Sequence, residues 1–151
     1  MIISIGCDHW GVDLKLFLIN CFKRSGILIN NYGPNTEDTP KVDYVDMAIK
    51  VGEDIKHNKA DFGILICKTG IGMSIAANKV KAVRCAKVSN TDEARLCREH
   101  NNANVLALSA DISQNEALEI VKLFLNTKFS GEERHKERIK KISNYENGVI
   151  E

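Results

Sequence analysis

Residues 61–79 read Asp-Phe-Gly-Ile-Leu-Ile-Cys-Lys-Thr-Gly-Ile-Gly-Met-Ser-Ile-Ala-Ala-Asn-Lys, and no other stretch restricts the fold so strongly. The apolar run Ile64, Leu65, Ile66 is too short for a buried helix and suits a central parallel strand. Gly70 and Gly72 then turn the chain, and Ser74, Ala76 and Ala77 begin a small-residue helix that can lie close on a sheet. Cys67 falls where strand becomes loop. Backbone N–H groups from Lys68 to Met73 can point inward there, and the helix start adds partial positive charge, so the turn suits an anion, a thiolate included. The same residue also reads as a structural cysteine that ends a strand.

The rest of the chain repeats this rhythm. Ile2 to Gly6 reads as a strand, followed by a helix with Leu14, Phe17, Leu18 and Phe22 at three- and four-residue spacing and Gly26 as its left-handed stop. Ile27 to Ile29 reads as the second strand, Asn30 to Asn35 as a turn, and the polar stretch to Lys41 as an exposed loop. A helix with Tyr44, Met47, Ala48, Val51 and Ile55 on one face leads to the central strand. Ala82 to Val88 and Asn104 to Leu108 read as the last two strands. Asn90 with Glu93 and Ser113 with Glu116 mark the helix starts after them. This predicts a three-layer, Rossmann-like α/β sandwich whose five-stranded parallel sheet has the order 2-1-3-4-5, with a charged helix over 134–142. One domain over 1–142 and a frayed tail over 143–151 complete the expectation.

Charge and cysteine usage narrow the function. Lys plus Arg number 21 against 20 Asp plus Glu, with no basic block before the tail, so nucleic acid is not a predicted partner. No signal-peptide pattern or 18-residue apolar run occurs, which predicts a cytoplasmic protein without membrane contact. The five cysteines, Cys7, Cys21, Cys67, Cys85 and Cys97, form no Cys-x-x-Cys pair, and the four histidines lack metal-ligand spacing. Neither a disulfide framework nor a metal is expected. Gly6-Cys7-Asp8-His9-Trp10-Gly11 is not a dinucleotide-binding fingerprint. Met73 stands where a cysteine phosphatase needs Arg, and no Gly-Lys-Ser or Gly-Lys-Thr follows the turn.

Open parallel sheets bind ligands outside the carboxyl ends of their strands. The loops there carry Asp8 and His9, then Asp43 and Tyr44, then Cys67 to Gly72, Ser89 and Ser109; Asp8 and Cys67 would end neighbouring strands. His100, Arg134 and Arg138 follow helices that run back, so they lie at the opposite edge, about 16 Å away for a five-residue strand. If they act at the crevice, they do so most simply from a second subunit. Each residue also has a plainer reading. Asp8 would cap the first helix, Asn101 would be a helix-end turn residue, Tyr44 a core residue, and Arg134 with Arg138 a solvated face.

Three segments together resemble ribose-5-phosphate isomerase type B, of the ribose/galactose isomerase family. They are Gly6-Cys7-Asp8-His9, residues 64–79 and Arg98-Glu99-His100-Asn101-Asn102-Ala103-Asn104, backed by Arg134-His135 and Arg138, and the likeness runs from residue 2 to about 142. The resemblance implies a homodimer or a dimer of dimers with a shared active site and no cofactor. It also implies aldose-ketose interconversion of ribose 5-phosphate and ribulose 5-phosphate through a cis-enediolate, in the pentose phosphate pathway. Galactose 6-phosphate or allose 6-phosphate is the alternative substrate, and a non-catalytic sugar-phosphate-binding module the alternative of another class. On this resemblance Cys67 is the base, and the amides of Lys68, Gly70, Ile71 and Gly72 hold the oxyanion. Thr69 and His100 open the sugar ring, Asp8 and Asn101 bind hydroxyls beside Tyr44, and His9, Arg134 and Arg138 hold the phosphate. Members with Ser at the base position carry Glu four residues on; Cys67 and Ile71 here indicate the cysteine subtype. Trp10, Lys68, Val45 and Asp111 depart from the family pattern, standing where a small residue, Gly, Pro and Arg are common.

Overall fold

The computed structural model describes residues 1–36 and 38–149. Along the chain run β1 (Ile2–Cys7), α1 (Val12–Arg24), β2 (Leu28–Tyr32), α2 (Tyr44–Lys56), β3 (Phe62–Cys67), α3 (Ile71–Ala77), β4 (Cys85–Lys87), α4 (Thr91–Asn101), β5 (Val105–Ser109), α5 (Gln114–Asn126) and α6 (Glu133–Glu146). The five strands form one all-parallel sheet in the order β2-β1-β3-β5-β4. Among the described residues no helix is long and apolar enough to cross a membrane.

The apolar runs explain the layering. Ile64 and Ile66 face a core with Ile3, Ile5, Leu18, Phe22, Leu106, Ile120 and Phe124, while Leu65 faces Met47, Val51, Met73 and Val105 on the other side. Helices α1, α4 and α5 therefore cover one face and α2 and α3 the other, the three-layer arrangement expected from continuous rather than alternating apolar strands. Helix starts follow the capping chemistry: Asn90 accepts the Glu93 N–H, and Ser113 and Glu116 form a full capping box.

The strand order corrects the expected 2-1-3-4-5, because β5 rather than β4 pairs with β3. Val105 to Leu108 are each fully buried and need neighbours on both edges, whereas β4 has three residues, none buried, and sits at the rim. The β4 strand is also shorter than the predicted Ala82 to Val88, since Ala82 takes a positive φ of 69° that no strand accommodates. At the other rim β2 extends through Asn30, Asn31 and Tyr32, which the sequence presents as turn chemistry. Asp54 on α2 accepts hydrogen bonds there from Ser4 (2.5 Å), Asn30 (3.1 Å) and Tyr32 (2.9 Å), so the polar strand end is satisfied from the helix above it. Helix α6 runs past residue 142 to Glu146, whose carboxylate accepts the Ala82 N–H at 2.9 Å. The expected frayed tail thus begins as ordered helix, and residues 150 and 151 lie outside the described residues.

Candidate active site

Parallel pairing of β1 with β3 sets Cys7 opposite Ile66, and the Asp8 N–H donates to the Ile66 carbonyl at 3.3 Å. Asp8 and Cys67 therefore leave adjacent strands side by side, as predicted. Both are 5 % exposed, at the floor of the crevice. The Cys67 Sγ accepts the Gly70 N–H at 3.2 Å, a contact that requires the tight turn. Gly70 has φ +78°, and a Cβ there would lie 3.0 Å from the Leu108 carbonyl carbon of β5, so only glycine lets the turn close on the sulfur. The N–H groups of Ile71, Gly72 and Met73 in the first turn of α3 have no carbonyl behind them in the helix.

The neighbouring side chains are positioned by local hydrogen bonds. Asp8 does not cap α1: its Oδ1 accepts the Trp10 N–H at 2.9 Å, and Gly11 occupies the N-cap without a side-chain bond. The His9 ring lies 5.3 Å from that of Trp10, and its Nδ1 is buried with no hydrogen-bond partner among the described residues, an uncommon state for a buried polar atom. Tyr44 is a site neighbour rather than a core residue; it is 39 % exposed and packs so closely on Gly72 that a Cβ there would fall 2.7 Å from its ring. Asp43 caps α2 by accepting the Val45 N–H at 2.8 Å, a donor that a proline at 45 would lack. Thr69 is exposed and its Oγ1 accepts the Ile71 N–H at 3.2 Å.

Three of the other thiols are held protonated by burial. Burial pushes Cys7 up to about 11 even though the fully buried Lys15 beside it favours the thiolate, and burial likewise raises Cys85 to about 12 and Cys97 to about 11. Lys15 itself donates to the Tyr32 carbonyl (3.0 Å) and Asn35 Oδ1 (3.2 Å), holding the loop after β2.

His100, Asn101, Arg134 and Arg138 do not join this crevice within one chain. The Asn101 carbonyl accepts Arg84 Nε at 3.2 Å ahead of β4, and α4 feeds into the start of β5, whereas Cys67 pairs with Ser109 at its end. The separation is the length of β5, about 16 Å. His100 stacks on His135 with ring centroids 4.5 Å apart and planes 15° from parallel. His135 is 4 % exposed, and burial, then the charges of His100 and Arg134, holds its pKa below the ordinary histidine value. Arg134 pairs with Glu132 at 2.8 Å, and Arg138 is exposed with no ion pair among the described residues. The burial of His135 and its stacking on His100 are not legible on so strongly charged a helix. Ser109, one of the strand-end loop residues, donates its hydroxyl to the Lys68 carbonyl at 2.8 Å, a contact set by β3–β5 pairing.

Comparison with known proteins identifies the family. A family model described as Ribose/Galactose Isomerase matches residues 3–142. Ribose-5-P isomerase B of Listeria innocua is 38 % identical over 132 residues, spanning 87 % of this chain and 88 % of that protein. The solved ribose-5-phosphate isomerase B of Clostridium thermocellum superposes with a TM-score of 0.93 at 41 % identity, covering 99 % of this chain and 100 % of that one. A Mycoplasma genitalium ribose-5-phosphate isomerase B, solved with ribulose-5-phosphate bound, gives a TM-score of 0.91 at 42 % identity over 97 % of this chain and 96 % of its own. Likeness of this extent in both sequence and backbone leaves one conclusion: the chain belongs to the ribose/galactose isomerase family.

Proposed function

We propose that the protein interconverts ribose 5-phosphate and ribulose 5-phosphate, as a cytoplasmic homodimer whose two chains share each active site. The observation that carries this reading is the likeness to the Mycoplasma genitalium enzyme solved with ribulose-5-phosphate, combined here with a buried sulfur that accepts the Gly70 amide of the turn before α3. In the proposed reaction Thr69 and His100 of the partner subunit open the furanose ring by moving a proton between the ring oxygen and the hydroxyl on C1. The Cys67 thiolate then takes the proton from C2 of the open aldose. Electrons pass to the C1 oxygen, and the amides of the turn before α3 stabilise the developing oxyanion. The same sulfur returns its proton to C1 while the proton on the C2 oxygen passes to the C1 oxygen, leaving the ketose. Asp8 and Asn101 of the partner subunit orient the hydroxyls. The unpartnered His9 Nδ1, with Arg134 and Arg138 of the facing chain, takes the phosphate.

Turnover of ribose 5-phosphate in the presence of a chelator, measured for the unaltered protein and for Cys67→Ser, tests the assignment. The variant is expected to lose about 10²- to 10⁴-fold in kcat while still binding sugar phosphate. A binding module would show no turnover in either protein, and undiminished turnover in the variant would remove the sulfur from the reaction.

A further inference from the structure

The loops after β1, β3 and β5 belong to three adjacent strands, and a side chain from each meets the others beside the Asp8 and Cys67 strand ends. The Lys68 ammonium lies 4.8 Å from the centre of the Trp10 ring and 2.8 Å from Asp111 Oδ1. Their roots are fixed independently of this contact. Trp10 is tied by its N–H to Asp8, Lys68 directly follows Cys67 and receives the Ser109 hydroxyl on its carbonyl, and the Asp111 N–H donates to the same hydroxyl oxygen at 3.1 Å. The contact between Trp10 and Lys68 therefore spans the gap between Asp8 and Cys67, and Asp111 anchors it to the third loop.

We propose that Trp10, Lys68 and Asp111 form a clasp across the mouth of the Cys67 crevice that selects five-carbon over six-carbon sugar phosphates. The proposal rests on the isomerase reading and specifies its substrate range. Stability does not account for the trio. Trp10 is 56 % exposed, the Lys68 and Asp111 side chains are 51 % and 63 % exposed, and an ion pair so open to water contributes little. Placement does account for it, because an indole held by a cation above the two substrate-facing residues restricts the room for a longer chain. The Asp111 carboxylate also neutralises Lys68, so this lysine competes less with the phosphate site.

The experiment compares kcat/KM for allose 6-phosphate with that for ribose 5-phosphate in the unaltered protein, Trp10→Ala and Asp111→Ala. The ratio is internal to each preparation, so a loss of folded protein cancels. It is expected to rise about tenfold in Trp10→Ala, the scale on which pocket size discriminates a single carbon, and by a smaller factor in Asp111→Ala. Trp10 is the single tryptophan of the chain, which gives a second readout. Emission from Cys67→Ser protein titrated with ribose 5-phosphate is expected to shift on saturation. An unchanged ratio in Trp10→Ala, or emission indifferent to bound sugar phosphate, would overturn the clasp. Absence of ribose 5-phosphate turnover in the unaltered protein would instead overturn the isomerase reading and the clasp with it.

Discussion

Two glycines with nearly the same backbone angle separate what the active-site turn requires from what any turn requires. Gly26 has φ +72° and open space for 4 Å around the position a Cβ would take, while Gly70 has φ +78° with Leu108 backbone atoms 3.0, 3.1 and 3.3 Å from that position. An L-residue in the left-handed region costs about 1–2 kcal/mol, and that cost should be the whole effect of Gly26→Ala. Gly70→Ala adds a contact with β5, which is paired to β3 through Ile66 and Leu108 and cannot retreat. Relief requires the turn itself to lift by a few tenths of an ångström, an overpacking strain of about 1–3 kcal/mol, for a total of about 2–5 kcal/mol. That movement takes the Gly70 N–H away from Cys67 Sγ, its partner at 3.2 Å, and should lower kcat about 10- to 100-fold. Urea unfolding followed by circular dichroism at one fixed protein concentration gives the stabilities, since association would otherwise shift them. Initial rates on saturating ribose 5-phosphate give the activity. Equal destabilisation by the two substitutions, with activity retained in Gly70→Ala, would refute the argument.

Two further outcomes are expected. When inactive His100→Ala and Cys67→Ser proteins are unfolded together and reassociated, half the dimers should be mixed and carry one intact site. Activity should then recover to about a quarter of the native level, and recovery of none would place His100 outside the shared site. His135 has a folded pKa below its unfolded one, through burial first and then the charges of His100, Arg134 and Arg138, with Glu132 opposing. Its stabilising contribution is therefore full above the unfolded value of about 6.5 and is lost as pH falls through the folded value. Melting temperature should drop between pH 7.5 and pH 5 in the native protein and drop less in His135→Phe, which keeps the stacked ring; an identical loss in both would exclude His135 as the acid-sensitive group.

Local pattern was enough for much of this protein. Ile64 to Ile66, two glycines and a run of small residues specify strand, turn and helix because each preference is satisfied within a few residues, and the capping pairs at Asn90 and Ser113 start helices for the same reason. Cys67 and Asp8 could likewise be placed together, because strands 1 and 3 of such a sheet are neighbours in either order. The position of β4 could not be read this way. A three-residue edge strand and a fully buried one differ in what surrounds them, and that is a property of the assembled sheet. The same holds for the clasp and the polar rim. Trp10, Lys68 and Asp111 look like three unrelated departures until pairing of β1, β3 and β5 brings them together, and Asp54 acquires its three donors only when α2 lies across β1 and β2. The kinds of element and their order along the chain were legible in the residues alone, since those depend on short-range sterics and hydrophobic period. Which loops meet, and so which side chains close over the sulfur, depended on contacts such as that between Lys68 and Asp111, 43 residues apart, which only the folded sheet creates.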